Sequence, residues 1–202
     1  MQTHFPKNQQ VDPDQNQDTS IFLLQTIKRP GIDSLMDYLL ESDYFIAPAS
    51  TRFHNSFPGG LCLHSLNLVH AFNAANKQLL NPLPLDSVVI CGLLHDLCKV
   101  NAYFETDKSY ESIKGIKGHA TVSLSRIGEH IQLTPKEDDI IRFHMGLYGI
   151  FTYREHDTLA LFKAINRNTH VQIFAALDMA DSKRKTGTSD SLWKVECRGR
   201  EL

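Results

Sequence analysis

The sequence lacks the features that mark membrane, secreted and nucleic-acid-coating proteins. Its longest apolar runs, such as Ser87 to Leu94, are far shorter than the roughly 20 residues of a membrane-spanning helix. The first twenty residues lack the charged start and apolar middle of a signal peptide. The formal net charge is −2, so no stable coating of nucleic acid is expected. We therefore expect a cytoplasmic protein with no membrane association.

Cysteine is scarce, and its spacing excludes the common zinc-ribbon and zinc-finger patterns. The four cysteines are Cys62, Cys91, Cys98 and Cys197, and no two of them form a Cys-x-x-Cys pair. Cys91 and Cys98 lie in an apolar stretch. We expect buried free thiols in a reducing compartment.

The chain is dominated by helical periodicity. Residues 1–20 are rich in Gln, Asn and Asp, which predicts a flexible polar tail, and residues 21–202 are long enough for a single domain. Apolar spacing predicts helices over 21–27, 32–40, 61–80, 86–97, 119–131, 135–145, 158–165 and 171–183. Residues 100–117 have no clear helical period and could form a small irregular or hairpin insertion. The predicted fold class is all-α.

The dipeptide His95-Asp96 is the central chemical feature. It ends the apolar run Val88 to Leu94, where a buried carboxylate beside an imidazole is costly unless something pairs with it. A divalent metal is a natural partner, because imidazole and carboxylate suit Fe, Mn, Zn or Ni. The two oxygens of a carboxylate can also bridge two ions.

Other metal-ligand types stand at the edges of separate predicted helices. His64 follows Pro58-Gly-Gly, His119 follows a glycine, and His144 lies in Arg-Phe-His-Met. Asp178 lies in an apolar stretch near the last helix. Each could by itself be a packed or surface residue, but helical bundles build metal sites from inward-facing side chains on different helices.

The order His…His-Asp…His…His…Asp resembles that of the HD-domain superfamily of metal-dependent phosphohydrolases. Three phrases are similar to those of phage and bacterial HD-domain proteins, namely PGGLCLHSL from Pro58, CGLLHDLCKV from Cys91 and IRFHMG from Ile141. The resemblance covers roughly residues 42–185. It implies an all-helical HD-domain bundle with a metal site at its centre.

The resemblance also implies a ligand set. The first metal would be held by His64, His95, Asp96 and Asp178, and Asp96 would bridge to a second metal bound by His119 and His144. Two divalent ions are therefore expected, with Fe, Mn, Zn, Ni, Co and Mg left open. This chain departs from the frequent Leu-Ala-Asp pattern near the last ligand, so Asp181, one helical turn after Asp178, is the alternative.

The implied activity is hydrolysis of a small phosphorylated substrate, a nucleotide or short oligonucleotide, by a metal-activated water. Asp96 and Lys99 are the expected catalytic residues, with Lys99 holding a substrate phosphate or the developing charge. His54 is expected to donate a proton to the leaving oxygen, and Arg52 to bind substrate. The alternatives are a solvated helix-end role for Lys99 and a structural loop role for His54.

Two other functions fit the same ligand order. The first is a mixed-valent di-iron oxygenase of the same superfamily, and the second is a non-catalytic metal-bound binding module. The sequence decides neither the substrate nor the oligomeric state.

Overall fold

The computed structural model describes residues 12–107, 109–113, 118–153 and 156–183. It confirms a mostly helical fold with one small hairpin. The helices are α1 (Pro13–Gln25), α2 (Ile32–Glu41), α3 (Gly60–Asn76), α4 (Leu85–Leu94), α5 (His119–Gly128), α6 (Pro135–Arg142), α7 (Gly146–Tyr148), α8 (Thr158–Arg167) and α9 (His170–Ser182). A 3₁₀ turn spans Leu97–Lys99, and a π turn spans Gly149–Tyr153.

Helix α4 is the buried centre of the bundle. Every residue from Ser87 to Leu94 is buried, which explains the continuous apolar run in the sequence. Helix α3 packs against α4 and also against α9. At the closest approach a Cβ on Gly92 would lie 2.5 Å from Cγ2 of Val69, so a glycine is needed there. This contact brings the middle of α3 beside the C-terminal end of α4.

Helix α6 begins as its sequence predicts. Thr134 and Glu137 form a capping box, with Pro135 in the first turn. The buried Glu137 carboxylate also accepts hydrogen bonds from Arg29 at 2.8 and 2.9 Å and from Ser87 at 2.6 Å. The same carboxylate therefore ties α6 to α4 and to the segment between α1 and α2.

The first helix starts earlier than the sequence analysis predicted. Residues 13–20, assigned there to a polar tail, belong to α1, and Asp12 caps it by accepting a hydrogen bond from the Gln15 amide at 3.1 Å. Asn16 and Ser20 are buried on its inner face. Because the buried positions of this first half are polar, the helix leaves no hydrophobic periodicity there. The predicted tail at residues 1–11 lies outside the described residues.

The insertion between α4 and α5 contains the predicted hairpin. Strand β1 (Tyr103–Glu105) pairs antiparallel with β2 (Tyr110–Ser112), with Tyr103 opposite Ser112. The Thr106 amide closes the turn by donating to the Ser109 carbonyl at 2.8 Å. The hairpin places Tyr103 and Ser112 on the wall of the cavity described below.

Several helices end sooner than their apolar spacing indicated. Helix α3 stops at Asn76, whose side chain bonds both the amide and the carbonyl of Leu83. Such side-chain to backbone bonds compete with continued helix. Within the part of the chain that the structure describes, no helix is long and apolar enough to cross a membrane.

Candidate metal centre

Four donors from three parts of the bundle meet at one buried point, which we call the first position: His64, His95, Asp96 and Asp178. Nε2 of His64 lies 3.2 Å from Nε2 of His95 and 3.2 Å from Oδ1 of Asp178. Oδ2 of Asp96 lies 3.4 Å from Nε2 of His95 and 3.7 Å from Nε2 of His64. Ligands bonded to one ion at about 2.1 Å stand roughly 3.0–3.5 Å apart, so the donors fit a shared ion with little adjustment.

A second group of donors lies on the other side of the same carboxylate. We call the group of Asp96, His119 and His144 the second position. Oδ1 of Asp96 lies 3.6 Å from Nε2 of His144. His119, the first residue of α5, offers a ligand atom within 4.8 Å of ligand atoms of Asp96 and Cys98. Oδ2 of Asp96 thus faces the imidazoles of the first position, and Oδ1 faces His144.

The Nδ1 atoms of the imidazoles, which lie on the side away from the donor cluster, also have hydrogen-bond partners. Nδ1 of His64 bonds Oδ2 of Asp181 at 2.7 Å, and Nδ1 of His95 and of His144 bond the carbonyls of Gly92 and Ile141 at 3.0 and 2.7 Å. Because these oxygens only accept, Nδ1 carries the proton in all three rings and Nε2 is directed at the donor cluster. Nδ1 of His119 instead lies 3.6 Å from Sγ of Cys98, and a thiol can donate or accept.

The carboxylates of the first position are held in their ionised form. Burial raises the pKa of Asp96, but Lys99 and His95 outweigh burial and hold that pKa well below its usual range. The pKa of Asp178 is lowered to about 2, because a hydrogen bond from His64 overcomes the effect of burial. A concentration of buried negative charge of this kind favours a cation.

His64 holds a proton tightly when no metal is present. Burial lowers its pKa, but hydrogen bonds to Asp178 and Asp181 outweigh burial and raise the pKa to about 9. The pKa of His144 is also raised, because its bond to Asp96 outweighs burial. Metal binding must displace such protons, so loading of the centre will depend on pH.

Lys99 faces the same cluster from the 3₁₀ turn that follows Asp96. Its Nζ lies 2.6 Å from Oδ2 of Asp96, and the residue is 8% exposed. Burial lowers the pKa of Lys99, but Asp96 more than compensates, so the pKa stays above its usual range. Lys99 is therefore a fixed, buried positive charge rather than a solvated helix-end lysine.

The two loop residues proposed from the sequence are placed differently from each other. His54 lies over the first position, with its ring centroid 4.9 Å from that of His64, and it lines the cavity. Burial, with His64 and Lys99 nearby, lowers the pKa of His54 to about 3, so its ring is neutral near neutral pH. Arg52 is exposed and is not among the cavity-lining residues. Proton donation by His54 and substrate binding by Arg52 stay predictions.

Asp178 and Asp181 are not interchangeable in the structure. Both are buried on α9, one turn apart, and both contact the imidazole of His64. Asp178 lies at Nε2, beside the other donors, whereas Asp181 lies at Nδ1. Sequence reasoning treated Asp181 only as a substitute ligand. His64 and Asn67 are three residues apart on α3, so they lie on one face of that helix, and both contact Asp181. Asn67 donates to Oδ1 of Asp181 at 3.2 Å. This spacing is the sequence signal that could have indicated a separate role for Asp181.

The donor cluster forms the floor of a cavity of about 680 Å³. Asp96, Lys99, His119, His144 and Asp178 all reach its surface. Phe53, Tyr103 and Tyr148 contribute aromatic rings to its wall. A volume in the range of roughly 300–1,000 Å³ is typical of pockets for small organic ligands. The cavity therefore has the size for a small organic ligand.

Comparison with known proteins gives one informative likeness. No family model matches the chain, and no solved structure matches it. The chain is 26% identical over 140 residues to the 3'-5' exoribonuclease YhaM of Bacillus subtilis (strain 168). The match takes in 66% of this chain and 42% of YhaM, so it spans less than half of the relative's length. The chain is thus a distant and partial relative of a hydrolytic enzyme that acts on RNA.

Proposed function

We propose that this chain is a metal-dependent phosphohydrolase that acts on a nucleotide or a short oligonucleotide. The observation that carries the proposal is the convergence of four imidazoles and the Asp178 carboxylate around Asp96 at the floor of an open cavity. The donors suit one divalent ion at the first position and another at the second, with Asp96 shared. Ions held in this way supply an activated water and neutralise phosphate charge.

The chain's own residues would orient and neutralise the substrate. Lys99 places a permanent positive charge at the cavity floor, where it can hold a phosphate oxygen as charge develops during transfer. His54 lies on the same surface, and its neutral ring can hydrogen-bond the substrate or exchange a proton with it. Phosphoryl transfer needs mainly positioning and charge neutralisation, and these residues provide both.

The proposed substrate class rests on the cavity wall and on the relative. Exposed aromatic side chains at Phe53 and Tyr148 offer flat faces on which a nucleobase can stack. YhaM carries the name of an enzyme that removes nucleotides from RNA ends, and this chain resembles part of it. Single-stranded RNA with a free 3' end is therefore the first substrate to test, followed by mononucleotides and cyclic dinucleotides.

The test is a hydrolysis screen of the purified chain after metal removal by a chelator. Each substrate is incubated with Mn, Fe, Co, Ni, Zn or Mg, and both phosphate release and product length are measured. We expect no activity without metal and restored activity with at least one ion. Shortened RNA identifies a phosphodiesterase, and free phosphate identifies a phosphomonoesterase.

The same screen can overturn the proposal. If no ion supports hydrolysis of any substrate while oxygen is consumed in the presence of iron, the di-iron oxygenase replaces the phosphohydrolase. If metal binds tightly but neither reaction occurs, the chain is a metal-bound binding module.

A further inference from the structure

We propose that Asp181 is a positioning residue that makes the first position the tighter of the two metal positions by orienting and polarising His64. The inference rests on the metal centre of the proposed function, but it does not depend on hydrolysis. Asp181 would touch neither ion nor substrate. It would act through the imidazole, from the side opposite to the metal.

The contacts of His64 determine which of its ring nitrogens carries the proton. The ring lies between two carboxylates on one helix, with Asp178 at Nε2 and Asp181 at Nδ1. The 2.7 Å contact to Oδ2 of Asp181 is a charge-assisted hydrogen bond in which Nδ1 donates. A proton fixed on Nδ1 leaves the Nε2 lone pair for the metal. Asp181 therefore selects the tautomer that can ligate at the first position.

A further contact keeps the Asp181 carboxylate in place. Asn67 donates from Nδ2 to Oδ1 of Asp181 at 3.2 Å, and it lies one helical turn after His64 on α3. Asp181 is 6% exposed and His64 is fully buried, so water competes little for either bond. The arrangement holds His64 in one orientation relative to α9.

The Nδ1 partner of His64 differs in charge from those of His95 and His144. His95 and His144 donate from Nδ1 to backbone carbonyls, which are neutral. A carboxylate is a stronger hydrogen-bond acceptor for the Nδ1 proton than a backbone carbonyl is. The stronger bond makes Nε2 a better electron donor to a metal. His64 belongs to the first position only. The first position should therefore fill before the second.

The test compares Asp181→Asn and Asp181→Ala with the wild type by titrating Zn²⁺ into the metal-free protein against a competing chelator. Loss of such a partner typically costs about 10–100-fold in metal affinity. We expect roughly tenfold weaker binding of the first equivalent for Asp181→Asn, whose amide oxygen can still accept from Nδ1. We expect a loss nearer 100-fold for Asp181→Ala.

Asp139→Asn is the matched control. Asp139 is also 6% exposed, and its carboxylate bonds Arg167 rather than any member of the donor cluster. This variant should lose stability without losing Zn²⁺ affinity. If Asp181→Ala binds the first equivalent as tightly as the wild type, or if Asp139→Asn loses as much affinity, the positioning role is wrong.

Nuclear magnetic resonance of the Zn²⁺-loaded protein gives a second readout that a merely structural residue would not move. The Nδ1 proton of His64 should be shifted downfield and exchange slowly with water in the wild type and in Asp139→Asn. Both features should be lost in Asp181→Ala. If the wild type binds Zn²⁺ but hydrolyses nothing, the proposed function fails while this inference stands. Unchanged Nδ1 signals in Asp181→Ala overturn the inference alone.

Discussion

The two proposed metal positions share Asp96 but are built in different ways. His64 in the first position lies within α3, and Asp178 lies within α9, which packs against it. In the second position His119 is the first residue of α5, and His144 lies in the turn after α6. Residues inside packed helices are held more rigidly than those at helix ends. We therefore expect the first position to be the more preorganised of the two.

The hydrogen-bond acceptors at the Nδ1 atoms of the imidazoles also favour the first position. The Nδ1 atom of His64 has a carboxylate partner, whereas the Nδ1 atoms of His95 and His144 have backbone carbonyl partners. In the second position Nδ1 of His144 bonds a neutral carbonyl, which is a weaker acceptor than a carboxylate. We therefore expect two ions that share Asp96 to bind with unequal affinities. The difference in metal affinity between the two positions can be tested by mutation and by metal titration.

Replacing Asp96, the proposed bridging ligand, should empty both metal positions. Asp96→Asn keeps the shape of the side chain but loses the charge that both positions share. Metal content should fall at both positions, and hydrolysis should drop by about 10³-fold or more. Metal analysis and turnover measured on the same sample check this.

The Asp96 variant also leaves the buried Lys99 ammonium without its partner, which can destabilise the fold. The double variant Asp96→Asn/Lys99→Met removes that complication. If the double variant folds and still binds two ions, Asp96 is not the bridge.

Replacing Lys99 should leave both positions filled and affect chemistry alone. An ammonium cannot ligate a cation, so Lys99→Met should retain metal while turnover falls by about 10²-fold, as for a lost transition-state contact. Lys183 is the matched control, because it lines the same cavity but is exposed. Lys183→Met should change turnover by less than about threefold, since exposed charges are screened. Full activity of Lys99→Met would remove its proposed role.

The motif order, through the family resemblance, implied a set of donors for one metal site, and that these residues bind metal stays a prediction. His64, His95 and Asp96 lie together as that order indicated. The partners behind them could not be predicted in the same way. Whether a backbone carbonyl, a carboxylate or a thiol lies at Nδ1 depends on how α3, α9 and the helix ends pack. That packing leaves no periodic trace in the sequence.

The same limit explains what was missed in the fold. The hairpin and the start of α6 at Pro135 were predicted, since turn and helix-start signals act over a few neighbouring residues. The first half of α1 was missed, because its inner face buries Asn16 and Ser20 rather than apolar residues. Helix ends such as Asn76 depend on a hydrogen bond to Leu83 across a loop. Local patterns predict elements, but they do not predict contacts between elements.

Acid should weaken the first position measurably. The pKa of His64 is raised to about 9 in the metal-free protein, so below that pH a proton must leave before Nε2 can bind a metal. The apparent Zn²⁺ affinity of the first equivalent should then rise by up to about tenfold per pH unit between pH 6 and 8. Chelator-competition titrations at several pH values measure the slope. A flat profile would show that no proton on His64 competes with the metal.

The same raised pKa has a consequence for stability without metal. A group whose pKa is raised by folding contributes stability that is fully present below its unfolded value of about 6.5 and is lost as the pH rises through about 9. The melting temperature of the chelated protein should therefore decline over that interval. The decline should be absent when Zn²⁺ fills the centre, because metal replaces the proton. An identical decline with and without Zn²⁺ would assign it to other groups.

The smallest expected effect concerns Cys98 and decides what its sulfur does. Burial, with Asp96 nearby, raises the pKa of Cys98 to about 12, so without metal it is a neutral thiol beside His119. Cys98→Ser should weaken the second equivalent of metal by less than about tenfold and leave the first unchanged, as expected for a partner behind a ligand. The buried Cys91, which lies on α4, gives the matched control Cys91→Ser. Loss of more than about 100-fold, together with a thiolate-to-metal absorption band in the Co²⁺-loaded wild type, would instead make Cys98 a ligand. The second position would then be the softer of the two, and the inequality between the positions would be one of metal preference rather than of affinity.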